Sequence, residues 1–266
     1  MPTPIAHLIV AEHILASPNL PETIRAGLDG NDALRSAYFF GHIAPDVQVV
    51  SRQPREATHF FILTPAAHQW AYAKMLAAHP GLAQPEDLPP LQAAFLAGYL
   101  SHLLLDELWV RRVFRPIFGP QQNWAEKRER LLLHNVLRAW LDRRDLHCLR
   151  DGVGQLLRLA KPQAWLPFAN DTELSRWRDI VAEQLAPGAG IRTVEIFANR
   201  SRISDSEFLA LLEPAVMEKR IFDRVNLYEL DRFHDAAVLR TLDLTGRYLN
   251  GCAVRGSVLN DFVSYL

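Results

Sequence analysis

The sequence predicts an all-α protein, and three observations carry that prediction. Apolar residues recur at three-to-four spacing along most of the chain, the period of a helix with one face turned inward. Prolines punctuate the joins, at 18, 54, 65, 85, 89, 90 and 162 among others, where helices start or stop. Strand-like runs are few and short: VQVV at 47–50 and TVEIF at 193–197.

Taken in order, Thr3 followed by Pro4 reads as an N-cap with proline at the first helical position. That helix runs to Ser17, where Ser17-Pro18-Asn19 breaks it. On a 3.6-residue wheel His7 falls among Val10, Ala11, Ile14 and Leu15, whereas Glu12 and His13 fall toward the other side. A second apolar segment at 34–40 ends at Gly41, and GHIAPD follows as an irregular turn. Further helices are expected over 66–79, 91–114, 122–144, 146–160, 172–186, 205–220 and 228–250. The longest uncharged run, LPPLQAAFLAGYLSHLLL at 88–105, opens with two prolines and carries Gln92, Ser101 and His102. It reads as a buried core helix and not a membrane span, so no transmembrane segment is expected. The chain shows no internal repeat. A soft boundary near 161–171 divides it into a helical core at 1–160 and a C-terminal helical part at 161–266, packed on the same domain.

Composition narrows the function. The 266 residues are 49% hydrophobic and 22% charged with net charge −1, which argues against long nucleic acid or an anionic membrane as an electrostatic partner. Two cysteines, Cys148 and Cys252, are too few for a disulfide scaffold and suit a reducing compartment. The opening MPTPIAHLIVAEHILA lacks a basic n-region and a small-residue cleavage site. A cytoplasmic location is the expectation.

Chemistry enters at LAGYLSHLLLDELW, residues 96–109. His102 and Asp106 stand one turn apart, with β-carbons about 5–6 Å from each other on one face of an otherwise apolar helix. A carboxylate in such surroundings needs a partner. His7 faces inward on the first helix, Asp46 sits in the proline-bounded turn IAPD, and His59 adjoins two phenylalanines in THFF. Three imidazoles and two carboxylates are nitrogen and oxygen ligands of the kind zinc takes at about 2.0–2.2 Å. Five candidates exceed one tetrahedral ion, which allows a two-metal site bridged by one carboxylate. Gly98, a turn before His102, removes a side chain from the same face and would leave room. The bland alternative for each residue is a hydrogen-bonded core histidine or a turn-forming aspartate.

The pieces PTPIAHLIVAEHIL, FFGHIAPD, ATHFF and AFLAGYLSHLLLDELW together resemble the zinc-dependent phospholipase C family, whose helical fold is shared with fungal single-strand nucleases. The resemblance spans about residues 1–110; beyond that the chain, including WLPFANDTEL at 165–174, is similar to bacterial, non-secreted members of the same family. It implies a phospholipase C/nuclease-like bundle with a metal site in its core. It further implies one zinc held by His102, Asp106, Asp46 and His59, and His7 as ligand of a second zinc sharing Asp106. The chain departs from the secreted enzymes after Asp106, where ELWVRRVFRP offers no histidine. The later His134 is followed at i+4 by Arg138 and not by glutamate, so a further zinc site is expected to be missing or rebuilt. Secreted members also use their processed amino terminus as a ligand, which makes Pro2 a candidate once Met1 is removed. His134, flanked by Arg130 and Arg138, offers extra metal or phosphate contacts.

The expectation is a zinc-dependent phosphoester hydrolase acting on a small phosphoester or phospholipid head group. Asp46 would act as ligand and as orienting base for water, and Phe60, Phe61 and Trp109 would either line the mouth or belong to the core. The competing expectation is a helical binding or scaffold protein with a structural or degenerate metal site. FHDAAVLRTLD at 233–243 carries the adjacent His234–Asp235 of HD-type phosphohydrolases, but lacks the upstream histidines that fold requires.

Overall fold

The computed structural model describes residues 1–62, 69–124, 126–252 and 254, and among these it is entirely helical. The helices of eight residues or more are α1 (Pro4–Ala16), α2 (Glu22–Asp29), α3 (Asp32–Gly41), α4 (Ala71–Ala78), α5 (Pro90–Trp109), α6 (Lys127–Asp145), α7 (Asp171–Gln184), α8 (Thr193–Ser201) and α9 (Leu227–Leu249). Single-turn and 3-10 pieces fill the joins.

Local chemistry sets the ends. Thr3 caps α1, its hydroxyl accepting from the Ala6 amide at 3.1 Å, and Ser17 closes it in an extended conformation before Pro18. Asn31, Asn170 and Asn226 cap α3, α7 and α9 in the same way. The expected 91–114 helix is α-helical only to Trp109; a π-turn follows at Val110–Phe114. Pro116, which has no amide hydrogen, interrupts the ladder just beyond. The expected 146–160 and 205–220 helices are likewise broken into short pieces, and the start of the expected 66–79 helix lies outside the described residues.

Four expectations are corrected. VQVV is a 3-10 turn running into a single helical turn, and TVEIF opens α8. In α8 the Thr193 hydroxyl donates to Asp142 at 2.7 Å and Phe197 is buried, so tertiary contacts override strand propensity. Helix α2 had no expected counterpart. Glu12 is buried, not outward, because Arg35 at 3.3 Å and Arg150 at 2.9 Å neutralise it. Gly98 leaves room for a helix and not for a ligand: a β-carbon there would sit 2.1 Å from the Tyr38 carbonyl oxygen of α3. Gly41 mirrors it, its β-carbon falling 2.0 Å from the Phe95 carbonyl of α5. The α3 and α5 backbones therefore touch.

Helix α5 is the axis of the core, with every residue from Ala93 to Trp109 buried. The segment Pro90–Phe118 is long and apolar enough to cross a membrane, and its most apolar window lies wholly inside the protein. C-terminal elements pack on the same core: Ser101 of α5 hydrogen-bonds Thr245 of α9 at 2.9 Å, and Trp165 packs on Phe95 at 5.0 Å. Trp177 of α7 donates its indole N–H to the Ile43 carbonyl at 2.7 Å, which pins the turn that carries Asp46.

Candidate metal centre

The α3–α5 contact has a direct consequence for His102. It brings the His42 carbonyl, just past Gly41, within 2.8 Å of His102 Nδ1. Nδ1 donates there, so in the neutral ring Nε2 carries the lone pair, beside His59 and Asp106. His59 is set similarly. Its Nδ1 lies 3.0 Å from the Thr58 hydroxyl, the Thr58 carbonyl accepts from Tyr99 Oη at 2.6 Å, and Phe60 turns the chain sharply at φ 57°. His7 arrives from α1 with its ring stacked on His102, centroids 3.7 Å apart.

The structure brings His7, Asp46, His59, His102 and Asp106 together. His7 Nε2 is 3.3 Å from Asp106 Oδ1, and His59 Nε2 and His102 Nε2 are 3.5 and 3.6 Å from Asp106 Oδ2. His59 Nε2 is also 3.3 Å from His102 Nε2 and 3.5 Å from Asp46 Oδ1. Ligands at 2.0–2.1 Å from a tetrahedral ion lie about 3.3–3.4 Å from one another, and these spacings are close to that. Two overlapping triads, His7–His102–Asp106 and Asp46–His59–His102, have donor atoms close enough to hold an ion. Both nitrogens of His7 and Oδ1 of Asp106 are buried without a hydrogen bond, since the 3.3 Å approach is misaligned. Buried orphan atoms of this kind are costly, and a cation at their focus removes the cost.

Electrostatics suit four of the five donors, and His102 runs the other way without an ion. Burial and the neighbouring His102 ring hold His7 down to about 4, so it is neutral near pH 7. Burial also lowers His59, with Arg55 adding to it. Burial opposes a charged His102, but the Asp106 charge outweighs it and raises that pKa. For Asp106 burial acts upward and is overcome by His102, His7 and Arg55, which hold the carboxyl well below its ordinary range. Asp46 is held down by His59 and His102 against the same upward effect of burial. Both aspartates are thus anionic. Asp46 keeps 19% side-chain exposure against 1% for Asp106, so it is the carboxylate facing out of the cluster.

Outside lies a cavity of about 410 Å³ whose walls include Asp46, Arg55, Arg138 and Arg200. Pro2 and Met1 line it as well. The Met1 amino group is buried there, its pKa pulled well below the ordinary value by desolvation and by Arg138. His134 stands apart: its Nε2 accepts from Trp109 Nε1 at 3.0 Å, and its ring packs among Phe114 and Phe118. Arg130 is spent on the Gly119 carbonyl at 2.9 Å, whereas Arg138 reaches the Met1 carbonyl at 2.8 Å. Phe60, Phe61 and Trp109 do not line this cavity; Phe61 and Trp109 are core residues, and Phe60 packs on Phe168. His234 is paired with His13 at 2.9 Å, and Asp235 is exposed.

Two residues escaped sequence reasoning. Arg55 donates from Nη2 to Asp106 Oδ2 at 2.6 Å, and its spacing one turn before His59 in REATH was the available signal. His42 is buried beside His7 and His102, with both ring nitrogens unpartnered. Only its place next to Gly41 hinted at a role.

Comparison of the chain with models of known families, with curated proteins and with solved structures returns no match. The candidate metal centre rests on the chain's own geometry.

Proposed function

We propose that the protein is a zinc-dependent phosphoester hydrolase acting on a small substrate. The observation that carries this reading is the convergence of buried, unpaired nitrogen and oxygen donors at near-tetrahedral spacing beside a cavity that one of them faces. His59, His102, Asp46 and Asp106 would hold the ion, with His7 on the second oxygen of Asp106. Two carboxylates and the Arg55 guanidinium sum to one net negative charge, so one divalent ion leaves a net charge of +1 and two would leave +3. One ion is therefore favoured over two. When bound, zinc supplies Lewis-acid polarisation of a phosphoryl oxygen and acidifies water. Asp46, anionic and partly exposed to the cavity, would orient a water there by accepting its hydrogen bond. Arg55 contributes a fixed positive charge next to the donor cluster, facing the charge that develops on phosphoryl oxygens. A 410 Å³ cavity fits a head group or small metabolite.

The grip of Arg55 on Asp106 favours a second reading, in which the guanidinium closes the coordination shell of a structural ion. Zinc per chain, followed by a panel of phosphodiesters and monoesters, decides between them. One zinc and turnover in the wild type, with both lost in His102→Ala, supports the hydrolase. One zinc with no turnover on any ester selects the structural ion. Full activity after exhaustive chelation overturns both.

A further inference from the structure

Arg138 and Arg200 come from different helices, α6 and α8, and line the cavity that Asp46 and Arg55 also line. Both line the 410 Å³ cavity and a neighbouring one of about 520 Å³. Among the described residues, Asp46 is the only carboxylate on the walls of either. Arg138 is locked in place. Its guanidinium lies 4.3 Å over the Phe197 ring, Nη1 donates to the Met1 carbonyl at 2.8 Å, and Nη2 donates to Asn135. Its Nε is buried without a partner. Arg200 is exposed and makes no hydrogen bond or ion pair among the described residues. After burial, repulsion from Arg200 is the main effect pulling Arg138 down to about 10. Asp142, one turn along α6, attracts Arg138, but its two oxygens bond to the hydroxyls of Thr3 and Thr193 and not to a guanidinium.

Two guanidiniums held near each other, with no carboxylate bonded to either among the described residues, repel unless an anion joins them. Forked N–H donors match a tetrahedral oxyanion better than any group this wall supplies. We infer that Arg138 and Arg200 form a clamp for a second phosphate group of the substrate, in the cavity that Asp46 and Arg55 also line. The inference rests on the phosphoester reading and names its substrate class: phosphoesters carrying an additional phosphate, in preference to those with a neutral or cationic head group. Arg138 is the preset jaw and Arg200 the free one.

The clamp is tested first without metal. Inorganic phosphate is titrated calorimetrically into the chelator-treated full chain at low ionic strength, with Arg200→Ala and Arg200→Lys alongside. Wild type binds, Arg200→Ala weakens binding by about tenfold, and Arg200→Lys recovers part of it, with zinc content and melting temperature unaltered. The zinc-loaded chain then receives two diesters differing only in a terminal phosphate on the leaving group. The phosphate-bearing ester has the lower KM, and this preference collapses by about tenfold in Arg200→Ala. No phosphate binding by the wild type, or binding unaffected by Arg200→Ala, overturns the clamp. Phosphate binding without any KM preference overturns its assignment to substrate. Failure of the hydrolase reading appears separately, as zinc uptake with no ester turned over while the clamp still binds inorganic phosphate.

Discussion

Asp106→Asn isolates the electrostatic logic of the centre, because it keeps shape and removes charge. Asp106 is 1% exposed and is the direct partner of Arg55 at 2.6 Å, while three imidazole nitrogens lie within 3.6 Å of its oxygens. In the chelated protein the substitution leaves the Arg55 guanidinium, itself only 19% exposed, without its carboxylate. Breaking a buried pair by removing one partner costs about 3–5 kcal/mol, and the residual access of water to Arg55 places the expected loss near the lower figure. For a chain of this length about 3 kcal/mol lowers the melting temperature by roughly 6–10 °C. With zinc the gap widens. Free zinc at a hundredfold excess over its Kd stabilises the wild type by about 2.7 kcal/mol, and the variant lacks that increment. Differential scanning calorimetry with chelator and with zinc reads both effects. A chelated variant as stable as the wild type, or more stable, would refute the claim that Asp106 is held anionic by its neighbours. An undiminished zinc shift would refute its place as a ligand.

The remaining predictions concern the frame around the centre. Gly98→Ala drives a β-carbon to 2.1 Å from the Tyr38 carbonyl, so α3 and α5 must part; about 3 kcal/mol of stability is lost, and zinc affinity falls at least tenfold as the His42 carbonyl leaves His102. Gly27→Ala in α2, where nothing lies within 4 Å, is the control and stabilises by up to about 1 kcal/mol in chemical denaturation. Asp142 is raised to about 7 by burial, against the hydroxyls of Thr3 and Thr193. Its folded pKa lies above the unfolded value, so the neutral acid's contribution is complete below about pH 4 and is lost as pH rises through 7. Asp142→Asn therefore gains stability relative to wild type from pH 4 to 8, by roughly 4 kcal/mol at most. Urea titrations at several pH values check it, and a pH-independent difference would count against a protonated Asp142.

Much of the fold was legible because local signals and tertiary outcome coincide. Thr3-Pro4 opens α1, and the proline pair at 89–90 opens α5, as their capping chemistry dictates. Legibility failed where a partner distant in sequence decides. TVEIF has strand propensity, yet Thr193 is claimed by Asp142 and Phe197 by Arg138 and Phe208. Glu12 belongs on an outer face until Arg35 and Arg150 fold over it. At the centre, the types and spacing of the five donors were readable, since His102 and Asp106 share a helix face and the others sit in apolar or turned segments. The charge balance was not. Arg55 reaches Asp106 only when its turn is folded under α5, and Arg200 meets Arg138 only when α8 packs on α6.

That difference explains why the donors and the cations play unlike roles. His59 and His102 have their outer nitrogens occupied, by the Thr58 hydroxyl and the His42 carbonyl, so each ring presents one fixed lone pair to the focus. A centre built this way is preorganised: ligand binding needs no rotamer search, and affinity is set by the frame as much as by the donors. The cations are graded by freedom instead. Arg55 is tied to Asp106, Arg138 is half-committed to the Met1 carbonyl and Asn135, and Arg200 makes no hydrogen bond or ion pair among the described residues. A doubly phosphorylated ester would engage the exposed Arg200 as well as the more buried charges, whereas a simple diester would engage only the latter. Raising salt from 50 to 200 mM should then weaken KM for a doubly phosphorylated ester more than for a simple diester, because the exposed Arg200 is screened while the buried cluster is not.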